Sequence, residues 1–286
     1  MGYGDEIMAT GFARLIKLEN EDSQVVIGDE KRQIGTISKV FLGNPYISHP
    51  QKLIKEKKVI WVNHSRFFRP YINYKETTEK KYAWNSNHKA IPGNLFFSKD
   101  EKEKASNDLL TILKKWSEKF QTKPKKIIFF ENSFRVSKFD FQKDRDEAIY
   151  KYNLQLPNEK LIQIINSLKE YLFVQSVHED SYLINCENVF HYKSNFREAC
   201  SLLNISELYF GTHGGLSHAA AALNKKGVVI FGGWIDPLVV GYSFHTNLFI
   251  KNNESPCGAK NTCKHCIKCM ELITVKMATK EIKKLF

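Results

Sequence analysis

Apolar residues Ile7, Met8, Phe12, Leu15 and Ile16 recur at helical spacing directly behind Gly2-Tyr3-Gly4-Asp5, which predicts a tight glycine loop feeding a helix. Such a loop normally follows a buried strand, so a first strand is expected to be missing ahead of it. Short apolar runs at Val25–Gly28, Val40–Leu42 and Val59–Val62 read as strands separated by helical and polar text, which favours an open α/β layer over a sandwich. From Arg69 to Pro92 no period holds, and Tyr71, Tyr74, Tyr82 and Trp84 lie among polar residues, the signature of a long binding loop. Ser98 with Glu101 three positions on marks a helix start, with Leu109, Leu110, Ile112, Leu113 and Trp116 facing inward as far as about Phe120. Thr122-Lys123-Pro124-Lys125-Lys126 stops that helix.

A cleaner alternation follows. Strands are expected at Ile127–Phe130, Leu172–Val177, Val189–Phe190, Leu208–Gly211 and Val228–Phe231, and helices at Glu159–Tyr171, Phe196–Leu203 and Leu216–Leu223. This is the βαβ grammar of a parallel sheet. The chain therefore divides into two expected domains, 1–122 and 123–286.

Composition narrows the class. A chain of 286 residues with 42% hydrophobic residues is long and apolar enough for two cores, which excludes a disordered chain and a small disulfide-stapled peptide. No apolar run reaches the ~18–20 residues of a membrane span, and the start lacks the basic-then-apolar pattern of a signal peptide, so a cytoplasmic protein is expected. The net charge of +12 comes from 36 Lys against 7 Arg, dispersed and mixed with acids. Base and phosphate recognition by bidentate contacts would favour Arg, so no specific nucleic-acid partner is expected. What the charge retains is a preference for anionic partners, among them nucleotides and an anionic membrane surface.

The strongest chemical pattern runs from Tyr209 to Pro237, YFGTHGGLSHAAAALNKKGVVIFGGWIDP. A strand ends, Gly214 and Gly215 let the backbone turn and approach a ligand, and a helix begins with free N–H groups at the crevice where parallel sheets bind anions. The bland alternative is that the glycines and Ala219–Ala222 only permit close helix packing. His213, Ser217 and His218 flank the loop and could donate hydrogen bonds to a ligand.

GYGDEIMATGFAR and GTHGGLSHAAAALNKKGVVIFGG, in that order, resemble the two loop-helix segments of the lipopolysaccharide heptosyltransferases, glycosyltransferase family 9. The resemblance implies a GT-B fold, two Rossmann-like domains with parallel sheets facing across a cleft. It implies an inverting transfer of a sugar from a nucleotide-diphosphate sugar, held by 123–286, to a saccharide or lipid-linked acceptor, held by 1–122, in cell-surface glycan biosynthesis, with no cofactor required for catalysis. On its own Asp5 reads as a helix cap; the resemblance makes it the general base. Donor contacts are expected from His213, Gly214, Gly215, Leu216, Ser217, His218, Trp234 and Asp236, and from Arg135, Lys138 and Lys143 in the region where the family places a phosphate-contacting lysine. Many family members carry an acid where this chain has His213, and Gly-Pro-Thr where it has Gly-Gly-Trp-Ile-Asp-Pro, so the likeness does not extend to the identity of the donor.

Arg66, Arg69, Tyr71 and His88, in the aromatic loop, are candidates for acceptor binding, because aromatic faces stack on sugars and Arg pairs with acidic groups. Surface aromatics packing that loop onto its domain are the alternative. Cys257, Cys263, Cys266 and Cys269 have the close spacing of a structural zinc site, with His265 able to replace one ligand; reduced thiols or a local disulfide are the other readings. Met270–Phe286 reads as an amphipathic helix with Ile273, Met277 and Ile282 on one side, which either returns to the first domain or places lysines on the inner face of a membrane. A second function class stays open as well, a non-catalytic nucleotide- or nucleic-acid-binding module with a Cys/metal knuckle.

Overall fold

The computed structural model describes residues 2–132, 153–179 and 181–286. Helix α1 (Tyr3–Glu19) leads into strands β1 (Gln24–Asp29) and β2 (Ile34–Gly35), a 3-10 turn (Lys39–Phe41), β3 (Val59–Asn63) and helix α2 (Lys99–Phe120). The second half comprises β4 (Lys126–Glu131), α3 (Asn158–Asn166), β5 (Tyr171–Val177), β6 (Val189–Lys193), α4 (Phe196–Ile205), β7 (Leu208–Thr212) and α5 (Gly215–Ala222). It closes with β8 (Gly227–Gly232), α6 (Pro237–Val240), β9 (Thr246–Phe249), α7 (Lys264–Leu272) and α8 (Val275–Lys284).

Two sheets result. The six-stranded sheet has the order β6-β5-β4-β7-β8-β9 with every pair parallel. Counted from β4 this is 3-2-1-4-5-6, the Rossmann order, and the direction of winding reverses between β4 and β7, where such sheets open a crevice. Phe129, Phe130, Phe173, Tyr209, Phe210 and Phe231 are wholly buried, as expected for strands covered on both faces.

The smaller sheet, β2-β1-β3, is not the second parallel sheet expected from the resemblance. β1 and β3 run parallel, with Val26 opposite Trp61, but β2 returns antiparallel, with Gly28 opposite Gly35. The reason is local. Asp29 Oδ1 accepts from Arg32 N at 3.0 Å and Gln33 adopts a left-handed φ of 54°, a turn far too short for a parallel crossover.

Helix α1 serves both cores. Ala9 and Ala13 pack with Val25, Ile27 and Val62, while Ile7 and Met8 belong to the core of the large sheet. Helix α2 likewise buries Ile112 and Trp116 in the larger core, and it is clamped to α4 by the Arg197–Glu101 ion pair.

Three local expectations fail. Val40 and Phe41 lie in the 3-10 turn rather than a strand, and Leu42 ends it, because Ser38 Oγ caps Val40 N at 3.1 Å. The helix expected to reach Tyr171 ends at Asn166, where Ser167 Oγ donates to Ile164 O at 2.7 Å and the Asn188 side chain takes up the carbonyls of Leu168 and Tyr171, both at 3.1 Å. The terminal helix is two helices: Ile273 is extended, and Thr274 Oγ1 accepts from Met277 N at 3.1 Å to start α8 afresh. Ile273 and Ile282 are buried, but Met277 is exposed. Among the described residues, no helix is long and apolar enough to cross a membrane.

Candidate active site

The N-termini of α1 and α5 meet over the carboxyl ends of the large sheet. A Cβ on Gly4 would lie 2.7 Å from His218 Cδ2, so only glycine lets the two helices approach this closely. Tyr3 stacks on Phe196, ring centroids 4.1 Å apart, and extends the same junction. A cavity of about 830 Å³ opens here, lined by both halves of the chain. Its walls include Asp5, Ser38, Arg69 and Tyr71 from the first half, and Glu131, Asn195, His213, Gly214 and Trp234 from the second. That volume lies in the range of small-molecule and cofactor sites.

Asp5 is bound from several sides in the cavity. It is nearly buried and does cap α1, accepting from Gly2 N at 3.2 Å through Oδ2. Three further groups converge on it: Tyr71 OH donates to Oδ1 at 2.7 Å, Arg69 Nε lies 3.3 Å from Oδ2, and His64 Nε2 lies 3.5 Å from Oδ1. Burial pushes the carboxyl upward, but Arg69, His64 and Tyr71 outweigh it and hold Asp5 ionised, well below the usual carboxylate range.

On the opposite wall, a pair of histidines lies at the start of α5. His213 Nε2 lies 3.2 Å from His218 Nε2, and His218 Nδ1 lies 2.8 Å from Tyr242 OH. The His213 ring stacks on Phe231 at 4.7 Å. Burial pushes both imidazoles toward the neutral form, His213 down to about 4 and His218 well below its ordinary value. Gly214 and Gly215 face the cavity at the start of α5, so the free helix N–H groups and the cavity coincide.

The remaining sequence candidates divide. Trp234 lines the cavity, where Trp84 meets it edge-on at 4.8 Å and donates Nε1–H to Trp234 O at 3.2 Å. Ser217 is spent on capping, accepting from Gly214 N at 3.0 Å, and Leu216 is buried in the core below the loop. Asp236 Oδ1 accepts from Leu238 N at 2.8 Å to start α6 and does not line the cavity. His88 is buried against Val239 O, 2.9 Å from its Nδ1, and Arg66 lies over Phe67 at 4.6 Å; neither lines the cavity. His88 is held there by the chain beside it, where Ala90 N donates to Val239 O at 3.1 Å. Arg135, Lys138 and Lys143 lie outside the described residues.

The cysteine cluster forms a separate centre. The ligand atoms of Cys257, Cys263, His265 and Cys266 all lie within 4.8 Å of one another. Cys257 Sγ is 4.0 Å from Cys263 Sγ and 2.8 Å from Cys266 Sγ. A tetrahedral zinc with Zn–S of about 2.3 Å spaces its sulfurs by roughly 3.8 Å, so three sulfurs and one imidazole fit such an ion after a small opening of the closest pair. The hydrogen bond from Cys266 lowers Cys257 to about 5 and raises Cys266 in return. Cys269 is not in this set; its Sγ lies 3.3 Å from His265 Nε2, behind the imidazole.

No family model and no curated protein matches the sequence. Solved structures do match. A glycosyl transferase family 9 protein from Veillonella parvula superposes with a TM-score of 0.59 at 14% identity, covering 100% of this chain and 94% of that one. The iron-containing dodecameric glycosyltransferase TibC from enterotoxigenic E. coli superposes with a TM-score of 0.58 at 14% identity, covering 100% of this chain and 73% of that one. The fold is that of the family 9 glycosyl transferases.

Within that fold, sequence reasoning overlooked His64 and Tyr242. His64 follows β3, and its only sequence mark is a lone histidine after an apolar run; Tyr242 follows α6, a helix of four residues. Neither carries a local signal for the partner it meets in space.

Proposed function

We propose that the protein is an inverting glycosyltransferase of GT-B organisation, with residues 1–122 presenting the acceptor and 123–286 holding a nucleotide-diphosphate sugar. The single observation that carries this reading is the junction of Asp5 with the Gly214–Gly215 helix start across one cavity, in a family 9 fold. Asp5 is the proposed base. The acceptor oxygen attacks the anomeric carbon as the bond from that carbon to the diphosphate oxygen breaks, and the hydroxyl proton passes to Asp5.

In its present cage Asp5 is a weak base, because Arg69 neutralises it. Arg69 also lines the cavity, so an anionic group on the acceptor can draw the guanidinium away and return basicity to Asp5. The leaving diphosphate is met by the α5 N–H groups and the flanking side chains His213 and Trp234, with Arg135, Lys138 and Lys143 retained as proposed donor contacts and Arg69 and Tyr71 as acceptor contacts. The chain's own donors are the proposed leaving-group stabilisers, and the Cys257, Cys263, His265 and Cys266 set is the proposed holder of a structural zinc. The donor sugar, a saccharide or lipid-linked acceptor, and peripheral contact of the lysine-bearing α8 with an anionic membrane belong to the same proposal.

Thermal unfolding in the presence of a panel of nucleotide-diphosphate sugars and free nucleoside diphosphates tests the reading. At ligand concentrations about 100-fold above Kd, binding adds about 2.7 kcal/mol and the midpoint rises by several degrees. Absence of a shift with every member of the panel overturns it.

A further inference from the structure

Beyond β9 the chain crosses to α7 through residues 250–263, irregular backbone in which Ala259 forms an antiparallel bridge with Lys81. Four residues of that crossing, Cys257 to Lys260, join the metal set, the cavity wall and the first half of the chain. Cys257 supplies a thiol to the set whose other members, Cys263, His265 and Cys266, lie at the start of α7. Cys257 N donates to Gly233 O at 3.1 Å and Gly258 N to Trp234 O at 3.0 Å, while Trp234 Nε1 donates back to Ala259 O at 2.7 Å. From the first half, Tyr82 N donates to Gly258 O at 2.8 Å, and Lys260 N returns a bond to Lys80 O at 3.0 Å. Gly258 has a φ of 60°, and a Cβ there would stand 2.1 Å from Tyr82 O, so only glycine lets the two segments meet this closely. Tyr82, Trp84 and Trp234 line the cavity and touch one another, with ring centroids 5.7, 6.0 and 4.8 Å apart.

We propose that the Cys257, Cys263, His265 and Cys266 centre is a positioning element of the cavity: zinc held there fixes the 257–260 strap, and the strap fixes the aromatic wall of Tyr82, Trp84 and Trp234. The inference rests on the metal reading given above and is independent of which sugar is transferred. Irregular backbone held by a few hydrogen bonds opens locally at low cost. A bond from Cys257 to the ion anchors the strap to α7, so peeling it away from Tyr82 and Trp234 releases one ligand of the set. An ion that binds the closed arrangement and not the open one shifts the balance toward closure. Trp84 Nε1, which donates to Trp234 O at 3.2 Å, carries the restraint one aromatic residue further. A ligand seated on this wall and the ion then strengthen each other's binding by the same factor. Cys257 to Lys260 are positioning residues; they act on the cavity through the residues that line it.

Amide hydrogen exchange of the full, reduced chain, stripped with a chelator and then titrated with zinc, tests the coupling without any activity measurement. At free zinc about 100-fold above Kd, openings that release the ion become about 100-fold rarer, so the Tyr82 and Lys260 amides should exchange up to about 100-fold more slowly. Thr36 N, which donates to Ile27 O in the small sheet, should keep its rate. Gly258→Ala should uncouple the two ends. Its four ligand side chains remain and one ion per chain is still taken up, but zinc should no longer slow Tyr82, because the added methyl collides with Tyr82 O. Zinc uptake with unchanged exchange at Tyr82 and Lys260 overturns the inference and leaves the metal site standing. Equal slowing at Thr36 also overturns it, since the ion then stabilises the chain as a whole rather than this strap. Absence of zinc uptake removes the metal reading and the inference together, and leaves the glycosyltransferase reading to the nucleotide screen. Should Gly258→Ala fail to fold, the wild-type rates decide the matter by themselves.

Discussion

Two helices begin from glycine loops at the same cavity, and they resolve buried ionisable groups in opposite ways. At the start of α1, Asp5 stays charged because Arg69, Tyr71 and His64 surround it. At the start of α5, the hydrogen-bond partners of the His213 and His218 rings among the described residues are each other and a phenol, and burial keeps them neutral. A group taken out of water either gains a partner of opposite charge or gives up its own charge. The α1 side recruits its partners from the chain beyond β3, so it is sensitive to the loss of a residue. The α5 side depends on burial, so it is sensitive to protons.

The widest break of this contrast is Asp5→Asn. The single amide oxygen keeps only one of the two acceptor positions that serve Gly2 N and Tyr71 OH, so the fold should persist at reduced stability while sugar transfer falls by about 10²–10⁴-fold, measured as kcat on a donor found in the nucleotide screen. An unchanged kcat would assign the base elsewhere. Next comes Arg69→Gln, which leaves the carboxylate buried without its cation. Urea unfolding should show a loss of about 2–3 kcal/mol, and much of that loss should vanish in the Asp5→Asn background, because the two residues form one interaction. Additive losses would mean that Arg69 acts on the fold independently of Asp5.

Acid should separate the two sides on the pH axis. Burial lowers His213 to about 4 and His218 well below its ordinary value in the folded state, so their contribution is complete above the unfolded value of about 6.5 and is lost as pH falls below it. Asp5 is also lowered on folding, so its contribution is complete above the unfolded carboxylate value of about 3.9 and disappears only below it. Urea midpoints measured from pH 7 to 3 should therefore fall in two stages, and His213→Asn should flatten the first by roughly one proton. A single decline confined below pH 4 would contradict the neutral histidine pair.

The cysteine centre sharpens the contrast by offering a third solution, a cation held by thiolates. Zinc titration should saturate at one ion per chain. Cys266→Ser should abolish tight uptake, whereas Cys269→Ser should change it little, because His265 stands between Cys269 and the other ligands. Equal loss in the two variants would replace His265 by Cys269 in the ligand set.

Legibility in the sequence followed the range of the forces involved. The strands of the large sheet are runs such as Ile127–Phe130 and Val228–Phe231, whose burial on both faces is written in consecutive apolar residues, and they were readable to within a residue or two. Val40–Leu42 misled because a three-residue apolar run carries too little pattern to outweigh one serine cap. Strands β2 and β9 and helix α6 were unreadable for the same reason, being two to four residues long. In the site, the glycine loops and Asp5, His213 and His218 stood out as local motifs. His88 and Asp236 looked equivalent by type, yet the fold uses them to hold a loop and start a helix.

Sequence by itself determined the α/β alternation, the two glycine-led helix starts and the clustering of the cysteines, since each is encoded by neighbours within a few positions. Tertiary structure decided that residues 5, 64, 69 and 71 converge on one carboxylate, that Tyr242 lies behind His218, and that His265 displaces Cys269 from the cluster. The physical reason is that periodicity records how each segment meets water, whereas a hydrogen bond between distant segments is fixed only when packing brings their backbones together.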